Sequence, residues 1–230
     1  MKTKAIVLLT MMGCVAFASQ DAIKFVRSYK QGESDKYTMN MDMSSAMGEI
    51  SIKMAMTQTV KKVYDNGDCD METAVTSLSI NAMGNEMSPP APEPTVQKMN
   101  KFGSPVGTAA NKGRMGNFDF MKYANALGDK GIKVGETVNV DYTDPDNKKK
   151  TTKGTVKLES VTDGVGKLVI NLEVTNDQTA EGKPMKVAMV ALVIVANGKA
   201  SKIDGTITNL PNMGGGPEIE KAVISMALVK

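Results

Sequence analysis

Methionine is the residue type whose number and spacing in this sequence could support chemistry. The chain contains 19 methionines, and Met39, Met41 and Met43 stand at alternate positions. Alternate residues of a β-strand point to the same face, so this spacing would place three thioethers side by side. Thioethers are soft ligands that select Cu(I). A Cu(I) site formed by Met39, Met41 and Met43 is therefore one hypothesis for this chain.

The composition argues against most other catalytic and binding chemistry. There is no histidine, which excludes Ser-His-Asp and Cys-His catalysis and ordinary zinc sites. There is no tryptophan, and five Phe and five Tyr do not indicate a surface that stacks nucleic-acid bases. The aspartates cluster in predicted turns, where turn chemistry accounts for them. We therefore expect a protein that is not an enzyme, holds no cofactor and binds no nucleic acid.

The stretch around the three methionines predicts a β-hairpin with one apolar face. Apolar residues alternate with polar or small ones over residues 37–43 and 50–56, and the small residues of 44–48 suit a turn between them. The apolar face would form one wall of a ligand cavity. Its residues are Tyr37, Met39, Met41, Met43, Ile50, Ile52, Met54 and Met56.

The rest of the chain also predicts strands joined by tight turns. Asn-Gly and Asp-Gly pairs, which favour two-residue hairpins, end several alternating segments. Residues 21–29 are compatible with a first strand. Residues 185–196 are apolar at both parities, which favours a strand covered on both faces, with a buried helix as the alternative. The proline-rich residues 88–94 exclude a helix or a central strand and predict a stiff, extended connection.

One segment, at about residues 117–127, predicts a helix. Asn117 suits its N-cap and Gly128 its end, with an apolar stripe that includes Phe120 and Leu127. The predicted fold is mainly β (α+β): one strongly curved antiparallel sheet, a half-barrel of long hairpins, with this short helix packed on the concave face. Phe120 and Leu127 would then complete the apolar cavity.

The N-terminus predicts export. Residues 1–18 have a basic start, an apolar run and a small-x-small cleavage site, which is the layout of a secretory signal peptide. We expect a single mature domain of residues 19–230 in the periplasm or outside the cell. Residues 11–14 also resemble a lipobox, so a lipid anchor on Cys14 is the alternative. The apolar run is too short for a permanent transmembrane helix, and no other segment approaches that length.

Cleavage would leave a nearly neutral chain with a single thiol. Residues 1–18 hold Lys2 and Lys4 and no acidic residue, so 26 basic and 25 acidic residues remain, without the charge excess of a nucleic-acid binder. Cys69 would be the only cysteine. Asp68 and Asp70 on either side of it would raise the pKa of its thiol, so we expect an unreactive residue at the start of a strand.

This layout of a signal peptide, long amphipathic strands and a helix on a curved sheet resembles that of the periplasmic lipoprotein carriers of the Lol type. The resemblance covers about residues 22–230 and rests on layout, without a shared motif. It implies an open half-barrel over an apolar cavity, and a lipid, acyl chain or lipoprotein as partner. The first interpretation is thus an exported, non-enzymatic protein that binds an apolar ligand in a methionine-lined cavity. The alternative is a cell-envelope structural or interaction protein with a filled core.

Overall fold

The computed structural model describes residues 21–46, 48–106, 130–143, 148–175, 183–210 and 219–229. Within these residues the chain forms eleven β-strands. They are β1 (Ser34–Ser45), β2 (Gly48–Val63), β3 (Cys69–Ala82), β4 (Asn85–Met87), β5 (Thr95–Met99), β6 (Thr137–Thr143), β7 (Thr151–Thr162), β8 (Val165–Thr175), β9 (Met185–Ile194), β10 (Lys199–Leu210) and β11 (Ile219–Val229).

All eleven strands belong to one antiparallel sheet. Their order is β4-β3-β2-β1-β11-β10-β9-β8-β7-β6, and β5 also pairs with β3. The strands at the two ends of the chain, β1 and β11, pair in the interior of the sheet, from Lys36 opposite Val229 to Ser45 opposite Ile219. The predicted mainly β fold with one antiparallel sheet is confirmed, and the sheet is open. The helix predicted at 117–127 lies outside the described residues.

The alternation of side chains gives the sheet an apolar face and a polar face. On β7 to β11 the apolar face forms the core, where Val156, Leu168, Met189, Ile203 and Ile224 are at most 4% exposed. Because strand residues alternate between the two faces, the polar side chains between these positions lie on the other side of the sheet.

The first described residues, 21–30, form an extended segment that we call the N-terminal arm. The prediction of a first strand here is wrong. Backbone N–H groups of the arm donate hydrogen bonds to the carbonyl oxygens of Ile132, Lys101 and Asn197, at 2.9, 2.7 and 3.2 Å respectively. These three acceptors lie in different parts of the fold, so the arm has no single neighbouring strand along which a ladder could form.

Phe25 anchors the N-terminal arm in the core. Its ring is only 6% exposed and lies directly over Gly166 of β8. A Cβ atom added to Gly166 would be 2.8 Å from Phe25 Cζ, which is closer than such contacts occur. The missing side chain at Gly166 therefore provides the space in which the arm packs.

Strand β9 is buried on one face and exposed or half-buried on the other. Met185, Val187 and Met189 are buried, whereas Lys186 and Ala188 between them are exposed. The prediction of a strand covered on both faces is therefore wrong. Its cause is a run of small and apolar residues on the polar side of the strand, where scattered apolar side chains are common in folded proteins.

The proline-rich residues 88–94 connect β4 with β5, and both of these strands pair with β3. β4 pairs with the end of β3, from Ala82 to Ile80, and β5 with its beginning, from Thr73 to Cys69. The segment thus lies beside the edge of the sheet, where a residue without a backbone N–H donor is tolerated.

Candidate functional site

The structure brings the eight residues predicted in the hairpin together on the apolar face. β1 and β2 pair without a register shift, so each of the four apolar residues from β1 lies opposite one of the four from β2. The pairs are Tyr37 with Met56, Met39 with Met54, Met41 with Ile52, and Met43 with Ile50.

This part of the apolar face is less covered than the rest. Tyr37 and Met43, at the two ends of the β1 row, are buried with 5% and 8% exposure. The other six are half-buried, namely Met39, Met41, Ile50, Ile52, Met54 and Met56. Apolar side chains of β3 on the same face, Leu78 and Ile80, are half-buried as well. The half-buried apolar side chains on this face of β1, β2 and β3 therefore lie next to one another across the three strands.

A further methionine, Met226 of β11, joins this surface. Met226 is the register partner of Met39, so Met54, Met39 and Met226 lie side by side on three neighbouring strands. We call this set the methionine row. Sequence reasoning missed Met226 because β11 lies at the opposite end of the chain, and only the pairing of β1 with β11 brings it here.

A buried ionic cluster lies next to the end of the β1 row that carries Tyr37. Lys199 Nζ is 2.7 Å from Glu33 Oε1 and 2.6 Å from Asp35 Oδ1. Arg27 Nη2 is 3.7 Å from the other oxygen of Asp35. Lys199 and Arg27 are only 7% and 9% exposed. The cluster links the N-terminal arm, the start of β1 and the start of β10.

Three groups in or beside the ionic cluster have pKa values that differ from their ordinary ones. The hydrogen bond from Lys199 holds the pKa of Glu33 below its ordinary value, against the opposing effect of burial. Burial raises the pKa of Tyr37 to about 12, although the positive charge of Arg27 works in the opposite direction. Burial also raises the pKa of Tyr29, whose ring lies 5.1 Å from the Arg27 guanidinium. Both tyrosines are therefore neutral at ordinary pH.

Cys69 behaves as the sequence predicts. It is the first residue of β3, it is fully buried, and its thiol is free. Burial is the main cause that raises the pKa of the Cys69 thiol to about 11, and the charges of Asp70 and Asp68 add smaller increases. A thiol with this pKa is a poor nucleophile at neutral pH.

A pocket of about 480 Å³ lies at the polar face, between β1, β2, β3 and the proline-rich residues 88–94. Most of its side chains carry hydroxyl, amide or ammonium groups. The residues that line the pocket, by side chain or backbone, are Thr38, Asn40, Lys53, Met54, Ala55, Thr76, Ser77, Leu78, Ser79, Ser88, Pro89 and Ala91. This pocket is not the methionine-lined cavity, which stays a prediction.

Several predicted features lie outside the described residues. These are Phe120 and Leu127, the helix that carries them, and residues 1–18 with Cys14. Among the described residues, no group of three or more histidine, cysteine, aspartate or glutamate side chains could hold a metal ion. In the same part of the chain, no helix is long and apolar enough to cross a membrane.

Comparison with known proteins gives structural similarity at a low level. No family model and no curated protein sequence matches the chain. One similar structure is a domain described as that of an outer membrane lipoprotein-sorting protein from Vibrio parahaemolyticus. It is 10% identical, with 87% of this chain and 85% of that chain covered and a TM-score of 0.25. Another is a DUF1329 family protein from Desulfovibrio piger, 8% identical, with 86% and 85% covered and a TM-score of 0.25.

The description of the first structure names lipoprotein sorting, as the layout-level resemblance of the sequence does, and a TM-score of 0.25 carries no argument beyond that. Identities of 10% and 8% at this TM-score do not identify a function, a ligand or a site. The proposals below therefore rest on the residues of this chain.

Proposed function

We propose that this chain is an exported, non-enzymatic protein that binds the acyl chain of a lipid, or a similar apolar ligand, on the apolar face of β1, β2 and β3. The observation that carries the proposal is the difference in coverage along one face. The face is buried over the core on β7 to β10, whereas Met39, Met41, Ile52, Met54 and Ile80 on β1 to β3 are half-buried.

The shape and chemistry of this surface suit an acyl chain. The paired rows of β1 and β2 form a strip whose adjacent side chains come from Met39, Met54, Met41 and Ile52. Methionine is unbranched and polarisable, so it can adjust to a flexible hydrocarbon chain. Each buried CH₂ group of the ligand would contribute about 0.8 kcal/mol, which makes a long chain a better ligand than a short one.

Native mass spectrometry of the protein purified from its own host tests this proposal. We expect a lipid to co-purify, and added long-chain fatty acid to displace a hydrophobic dye from the protein after delipidation. A protein without lipid that binds neither the dye nor the fatty acid would contradict the proposal and favour an envelope structural role instead.

A pair of matched variants locates the binding surface. Ile52→Gln with Met54→Gln places two amides on the apolar face of β2 and should weaken dye and fatty-acid binding. Lys53→Gln with Thr57→Gln alters the same strand on its polar face and should leave binding unchanged. Equal binding by both variants would place the ligand elsewhere. Circular dichroism confirms that each variant retains its strands.

A further inference from the structure

The methionine row offers a closer set of sulfur ligands than the three methionines along β1. Neighbouring strands of a sheet are about 4.8 Å apart, whereas alternate residues of one strand are about 6.8 Å apart. Met54 and Met226 are each one strand spacing from Met39. In the set along β1, the longer of these spacings separates Met41 from Met39 and from Met43. Met43 is also buried, with 8% exposure.

We propose that Met39, Met54 and Met226 bind one monovalent soft metal ion, Cu(I) or its analogue Ag(I), through their three thioether sulfurs. Met39 stands in the middle of the row, so the side chains of its two partners would have to lean towards it to share one ion. Three rotatable bonds allow a methionine side chain to make this adjustment. The binding involves no change in oxidation state.

The surroundings of the methionine row favour a soft ion over harder ones. The row continues on either side into apolar residues, with Leu78 opposite Met54 on β3 and Ile203 opposite Met226 on β10. Neither of these neighbours is a carboxylate of the kind that Ca²⁺ and Mg²⁺ require, and the chain has no histidine for Zn²⁺. Thioether ligands select Cu(I) among the first-row metals.

The burial of the row fits a site that an ion can enter. Met39, Met54 and Met226 are all half-buried, so none of the three residues is enclosed in the core or fully in solvent. Met39 and Met226 pack against the core, which holds the β1 and β11 members of the row in place.

This metal site does not rest on the proposed lipid binding. Substitution of methionine by leucine removes the sulfur and keeps an apolar side chain of similar volume. The triple variant Met39→Leu, Met54→Leu, Met226→Leu should therefore lose the metal without the loss of apolar packing that a polar substitution would cause. Absence of fatty-acid binding by the unaltered protein would overturn the lipid proposal and leave the metal site standing. Absence of stoichiometric Cu(I) binding by the unaltered protein would overturn the metal site alone.

Anaerobic titration of the purified protein with Cu(I), in competition with a chromogenic Cu(I) chelator, tests the site. We expect the unaltered protein to bind one Cu(I) per chain in a shell that contains only sulfur by X-ray absorption. The triple variant should lose this binding. If the triple variant does not fold, the single variant Met39→Leu, which removes the central ligand, should weaken Cu(I) binding relative to the unaltered protein.

Two further variants decide between the row and other methionines. Met83→Leu, Met87→Leu, Met99→Leu removes three thioethers from the β3 edge region and should retain Cu(I). Met41→Leu with Met43→Leu should retain it too, because neither residue belongs to the row. Loss of Cu(I) in either of these variants would overturn the proposal. So would an unaltered protein without stoichiometric binding, or a shell with nitrogen or oxygen ligands.

Discussion

Replacement of Lys199 by methionine should destabilise the fold strongly. The ammonium group of Lys199 lies 2.7 Å from Glu33 Oε1 and 2.6 Å from Asp35 Oδ1. The side chains of Lys199, Glu33 and Asp35 are 9%, 27% and 15% exposed respectively. Without the ammonium group, two carboxylates would face each other with little water around them. The remaining cation, Arg27, is 3.7 Å from Asp35.

The magnitude follows from this burial. Removal of one partner of a buried ion pair costs about 3–5 kcal/mol. Since Glu33 retains 27% exposure, water can replace part of the lost interaction, and we expect about 2–4 kcal/mol. With a urea dependence of about 2 kcal/mol per molar, the unfolding midpoint should fall by about 1–2 M.

Urea unfolding at pH 7, followed by circular dichroism, measures this effect. The matched control is Lys186→Met, which removes a lysine 4.0 Å from Glu173 where both side chains are more than half exposed. We expect this control to lose about 0–1 kcal/mol. Glu33→Gln in the Lys199→Met chain should restore part of the stability, because it removes one of the two unpaired carboxylates. A midpoint for Lys199→Met as high as that of the control would refute the reasoning.

Three further predictions concern packing, reactivity and pH. Gly166→Ala should lower the free energy of unfolding by about 1–3 kcal/mol, because its Cβ would displace the Phe25 ring that lies 2.8 Å away. At pH 8 the Cys69 thiol, with a pKa of about 11, should be thiolate in about one molecule in a thousand. It should therefore react with a disulfide reagent only after unfolding. Because the pKa of Glu33 is lowered in the folded state, its carboxylate should stabilise the fold at pH values above 4.5, which is its ordinary pKa. This contribution should be lost as the pH falls through the folded-state pKa.

Each of these predictions has its own control. Phe25→Leu should partly relieve Gly166→Ala, since the smaller side chain leaves space for the new Cβ. Reaction of the native protein with the disulfide reagent at the rate of the urea-unfolded protein would contradict the burial of Cys69. For the pH effect, Glu33→Gln should show a smaller loss of urea stability between pH 7 and pH 3.5 than the unaltered protein. An equal loss would show that other carboxylates account for the acid sensitivity.

Local patterns in the sequence predict much of the sheet. The alternation around Met39 and Ile52 gives the hairpin of β1 and β2 and places both residues on its apolar face, as the register shows. The position of Cys69 at the start of a strand also follows from its local sequence. These features depend on periods of two and on turn residues, which are properties of neighbouring positions.

Features that depend on distant pairing could not be predicted in this way. Met226 completes the methionine row only because β11 pairs with β1. Lys199 has no local feature that marks it as buried, because its partners Glu33 and Asp35 come from the other end of the chain. The N-terminal arm misled the prediction for the same reason, since residues 21–30 alternate like a strand but bond to three separate parts of the fold.

The pairing of β1 with β11 also bears on how the chain matures. β11 lies between β1 and β10 in the sheet, so each of these two strands keeps an unpaired edge until β11 is in place. Such contacts between the ends of a chain slow folding, and unpaired edges attract other chains in the meantime. A chain truncated before Ile219 would lack β11 and carry those edges permanently.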